Sequence, residues 1–101
     1  MWTVSTKPPE EKVLSALKWS LWKAESVDEF FDLFKSLTSR FLKCRSVGVE
    51  FNASEGERPH IIVTCTSASG VESYRVDLEH ISIVDKKVMA EAKNVKYIGR
   101  K

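Results

Sequence analysis

Apolar residues recur along the first half of the chain with helical spacing and along much of the second half in alternation. Between residues 9 and 24, Val13, Leu14, Leu17, Leu21 and Ala24 fall on one side of a wheel turned at about 100° per residue. Trp19 points nearly opposite that stripe and Trp22 lies on its far flank, with Lys12, Lys18 and Lys23 around them. Pro8 and Pro9 followed by Glu10 and Glu11 mark the start of this helix, because proline is tolerated in a first turn and acids suit the positive end of the helix dipole. Next, Ser26-Val27-Asp28-Glu29 fits a capping box, which predicts a second helix from residue 27 to about residue 43. Its apolar face is broad: Val27, Phe30, Leu33, Phe34, Leu37, Phe41 and Cys44, flanked by Phe31 and Leu42. A helix with so wide an apolar face is the element that faces the core.

From Arg45 the period changes to two. Val47, Val49 and Phe51 share one side of a strand, with Gly48, Glu50 and Asn52 on the other. Residues 53–59, with Gly56 inside, read as a connecting loop. The β-branched run of residues 61–66 predicts a strand, and Ser67-Ala68-Ser69-Gly70 is short enough to return it as a hairpin. Tyr74, Val76 and Leu78 share a face of the following strand, and the alternation slips at Glu79-His80, where a turn or bulge belongs. Residues 81–84 are then a short fourth strand. Asp85 is a candidate cap for a third helix to about Asn94, burying Val88, Met89 and Ala92 ahead of an extended stretch at residues 95–98.

The expected fold is therefore α+β in one domain: two N-terminal helices on an antiparallel meander of three to four strands, with a C-terminal helix or extended segment. A short extended arm carrying Trp2 and Val4 precedes the first helix. At 101 residues, the chain is long enough for one modest core and too short for two.

Composition adds three points. A hydrophobic fraction of 43% with 30% charged residues is that of a folded globular chain, without an apolar run of membrane-spanning length or a signal-peptide start, so a soluble cytoplasmic protein is expected. Cys44 and Cys65 lack a CxxC neighbour and read as two reduced, buried thiols, since a disulfide requires their segments to touch. Glutamine is absent, asparagine occurs only at Asn52 and Asn94, and lysine with glutamate dominates the polar set, a bias associated with heat-loving organisms.

Charge is uneven along the chain. Residues 1–45 hold eight Lys/Arg against six acids, residues 46–84 hold two against six, and residues 85–101 hold six against two. Both ends are basic, and this can serve either as a solvated face or as a footprint for a polyanion.

Catalytic patterns are missing. His60 and His80 have no Cys or acid at zinc spacing, and Glu55 and Glu57 flank Gly56 without any sign of a pocket. No GxSxG, P-loop or GxGxxG occurs. The expectation is a non-enzymatic protein without cofactor or metal.

Indoles among lysines suit single-stranded nucleic acid, whose unpaired bases stack on aromatic rings while ammonium groups neutralise phosphates. On that reading Trp19 and Trp22 are stacking platforms, Lys12, Lys18, Lys23, Lys93 and Lys96 are phosphate neighbours, and Arg75 and Tyr97 are further candidates. The alternative is a homo-oligomeric protein-interaction module in which the indoles fill a subunit interface.

Two N-terminal helices leading into an antiparallel sheet, the lysine and glutamate bias and the aromatic-basic mixture together resemble the ThermoDBP-related single-stranded DNA-binding proteins of thermophilic archaea. The resemblance covers most of the chain as an order of elements and carries no short motif. It implies binding of single-stranded DNA in a cleft of apolar and basic residues outside the OB fold, often by an oligomer. It assigns no individual site residue. A homo-oligomer, and RNA as the other candidate strand, are expectations from the sequence itself.

Overall fold

A computed structural model describes residues 8–53, 56 and 58–100. The arm with Trp2 and Val4, and the acids Glu55 and Glu57, lie outside the described residues.

Helix α1 (Pro9–Lys23) opens at Pro8 without a side-chain cap, so the acids Glu10 and Glu11 in its first turn are what complement the exposed amides. Helix α2 (Val27–Leu42) is capped as its sequence requires: Ser26 Oγ accepts from the Glu29 amide at 3.1 Å. At its far end Lys43 turns left-handed at φ 57°, the Cys44 amide donates to Ser39 O, and Ser39 Oγ donates to Cys44 O.

Four strands follow in a sequential antiparallel sheet: β1 (Ser46–Asn52), β2 (His60–Ser67), β3 (Gly70–Val84) and β4 (Lys87–Arg100). The register sets Val49 opposite Val63 and Val63 opposite Tyr74, and likewise Phe51 opposite Ile61 and Ile61 opposite Val76. These alternate side chains make one face of the sheet apolar, and both helices pack on it, α1 along β4 and α2 mainly along β1. Phe30, Phe34, Leu17, Val13, Ile61, Val63, Val76 and Leu78 are fully or almost fully buried there. The fold is α+β, as the hydrophobic pattern predicts.

Three expectations need correction. The segment from Asp85 to Asn94 is not a helix: Asp85 and Lys86, at φ 51° and 69°, form a two-residue turn, and the chain returns as β4. Val88, Ala90 and Ala92 lie on its core side, packed as a period-two set, while Met89 stays exposed. Met, Ala, Glu and Lys favour helices in isolation, but pairing along β3 decides the outcome. Second, residues 81–84 are the continuation of β3 and not a separate strand. The slip expected at Glu79-His80 is present as an irregularity in the pairing with β4 between Leu78 and His80. Third, Cys44 and Cys65 are joined in a disulfide with Cα atoms 5.6 Å apart, so the segments do touch and the thiols are not free. The contact arises because Arg45 donates its amide to Thr66 O, which brings the end of α2 against β2.

Candidate functional site

The buried stripe of α1 is Val13, Ala16, Leu17, Ser20 and Ala24, rotated from the large apolar stripe that the sequence suggests. Small residues are fully buried on this side, where Ser20 Oγ donates to Ala16 O at 2.7 Å, and Leu14 and Leu21 are half-buried on the flank. That rotation exchanges the roles of the indoles. Trp22 now points away from the core at 68% exposure, and Trp19 stands on the flank at 49%.

The two rings meet edge to face, with centroids 5.3 Å apart and planes at 73°. Lys23 Nζ lies 5.5 Å from the Trp22 ring centre, a cation–π distance. Because the planes are nearly perpendicular, bases resting on the two indoles cannot belong to one continuous stack.

Two recesses flank the rings. Lys12, Ser15 and Trp19 from α1 and Phe41 from α2 line one of about 280 Å³. Leu21 and Trp22 with Lys87, Val88, Met89 and Ala90 line the other, of about 310 Å³. Beyond it Val84, Asp85, Lys87 and Met89 share a further hollow with Glu25. Exposed apolar groups thus run from Trp19 over Trp22 to Met89 and Val84.

Of the residues singled out from the sequence, Lys12, Lys18 and Lys23 stand on the same helix as the indoles. The remainder lie elsewhere. Arg75 follows the buried Tyr74 and precedes the buried Val76, which puts it on the sheet face away from the helices, with Lys96 opposite it on β4. Its guanidinium donates from Nε to Asp77 Oδ1 at 2.8 Å, so its charge is already matched. Lys93 occupies the irregular stretch of β4 between the partners of Leu78 and Asp77. Tyr97 is on the helix side, near the end of β4 remote from Trp22, its ring 5.4 Å from that of Tyr74.

Lys86, Lys87, Met89 and Val84 escaped the sequence reading because Asp85 looked like a helix cap. The alternation of Val88, Ala90 and Ala92 carried the signal that places Met89 outward.

Among the described residues Tyr74 is the strongly perturbed titrating group. Its hydroxyl, which donates to Glu72 Oε2 at 3.4 Å, is pushed up to about 12 by burial first and then by the negative charge of Glu72 and Glu10. His60 is buried, its Nδ1 3.4 Å from Arg58 O. Among the described residues no cluster of His, Cys, Asp and Glu is arranged to hold a metal ion, and no helix is long and apolar enough to cross a membrane.

Comparison with protein-family models, with curated proteins and with solved structures finds no match to this chain.

Proposed function

We propose that the protein binds single-stranded DNA without strong preference for base order, through α1. The observation that carries this reading is the exposed, perpendicular pair Trp19 and Trp22 on a helix face that also presents Lys12, Lys18 and Lys23. Among the described residues these three lysines form no ion pair, so their charge is available to phosphates. Base stacking on an aromatic side chain contributes roughly 1 to 3 kcal/mol, and each neutralised phosphate releases counterions. The likeness to the ThermoDBP-related proteins supports the same activity. A cytoplasmic, thermophilic setting accords with the lysine and glutamate bias, and the disulfide is compatible with it because intracellular proteins of hyperthermophiles do carry disulfides.

A titration of tryptophan fluorescence with oligo-dT and with a duplex of equal length tests the proposal. Quenching by the single strand that weakens steeply with salt is expected. Absence of binding at low salt, or tighter binding of the duplex, refutes it.

A second reading, a homo-oligomeric interaction module, is favoured by the outer edge of β4. That 14-residue strand lies at the margin of the sheet, its outer side paired with no strand among the described residues. Lys93 and Lys96 on it oppose such pairing, which ranks this reading second.

A further inference from the structure

Resting on that reading, we propose that the β3–β4 hairpin forms the second wall of the strand path, with Lys86 and Lys87 as phosphate ligands and Met89 closing on a base that rests against Trp22. The hairpin and α1 come together only in the fold.

Trp22 and Met89 line the same recess, so an indole and a thioether bound one space of about 310 Å³. Leu21, Val88 and Ala90 complete its apolar lining, and Lys87 is the charged group in it. A flat, unpaired base fits such a slot: it stacks on the indole and meets a polarizable sulfur on its other side. A paired base is held inside its duplex and cannot enter.

The charges complete the match. Lys18 and Lys23 belong to α1, with Lys23 against the Trp22 ring, while Lys86 lies in the turn and Lys87 lines the hollow that holds Glu25 and Asp85. None of the four lysines is engaged in an ion pair among the described residues. Basic groups on both banks of an apolar slot suit a strand whose phosphates run along the banks while its bases point inward.

The turn itself offers a clean test. Lys86 sits at φ 69°, a conformation that glycine adopts more readily than any side-chain-bearing residue. Lys86→Gly therefore removes the charge while leaving the hairpin at least as stable.

The experiment is anisotropy of a labelled oligo-dT over a salt series, with thermal unfolding of each variant alongside. For Lys86→Gln with Lys87→Gln, we expect affinity to fall about ten-fold at low salt and the slope of log affinity against log salt to drop by about 1.4, two phosphates at about 0.7 each. Lys86→Gly should lose about half of that slope change without a lower melting temperature. Met89→Ala should weaken binding several-fold with the slope unchanged. If the wild type binds and Trp22→Ala weakens it, while the hairpin variants match wild type in affinity and slope, the second wall is overturned and the α1 site stands. If the wild type binds no oligo-dT, both fall together.

Discussion

Thr38 carries a hydroxyl into the core with no hydrogen-bond partner among the described residues, on the buried side of α2 with Phe30 and Phe34. A buried, unpaired polar group costs free energy that an apolar group of the same shape does not. Thr38→Val should raise stability by about 1 kcal/mol, seen as a higher urea midpoint. An unchanged or lower midpoint shows that the hydroxyl is satisfied in solution. Tyr74 poses a pH question. In the unfolded chain a tyrosine loses its proton near pH 10, whereas the folded protein holds this one to about 12. Its folded state thus binds the proton more tightly, so the associated stability is complete below pH 10 and disappears as pH rises through 12. Melting temperatures measured from pH 9 to 11.5 should fall more steeply for wild type than for Tyr74→Phe. Parallel curves rule out this residue as the cause.

At the scale of elements, the Cys44–Cys65 disulfide fastens the end of α2 to a central strand across a separation of 21 residues. Closing a loop of that length restricts the unfolded chain, by about 3 kcal/mol in the chain-entropy estimate. Replacing both cysteines by serine, or adding reductant to the wild type, should lower the denaturation midpoint by a matching amount. If reduction leaves it unmoved, the link is structurally idle. The same pairing shows where sequence alone stops. Ser26 and Glu29 announce α2 by local chemistry, and Val47, Val49 and Phe51 announce β1 by period, because both signals reside within a few residues. Contact between Cys44 and Cys65 depends on how α2 lies along the sheet, and no spacing reports that. β4 was obscured for a related reason: its Ala, Glu, Lys and Met prefer a helix until β3 supplies a neighbour. In the candidate site, the exposure of the indoles was legible from the wheel. Which of them stands furthest from the core was not, since the buried stripe follows small residues at Ala16 and Ser20 and not the larger Leu14 and Leu21.

Across the whole molecule, the basic residues singled out above lie on different faces. Lys12 lines a recess with Trp19, Lys23 meets Trp22 and Lys87 lines a recess with Trp22, while Arg75 and Lys96 lie on the far side of the sheet, where Arg75 is matched by Asp77. Among the described residues, the α1 side of the molecule thus combines charge with exposed aromatic surface. Trp22→Ala separates the two readings of that surface when sedimentation and oligo-dT binding are measured on the same sample. We expect an unchanged sedimentation coefficient and binding weakened about five- to twenty-fold, the loss of one stacked base. Dissociation of an assembly with no change in DNA affinity would instead place the indoles at a subunit contact.

Helix α1, the first element, lies along β4, the last. During synthesis the apolar side of that helix can rest on α2 alone until the fourteen residues of β4 leave the ribosome. Helix α1 thus waits for every intervening strand to be made before it finds its seat, and a product that lacks β4 would emerge with Val13 and Leu17 short of their cover.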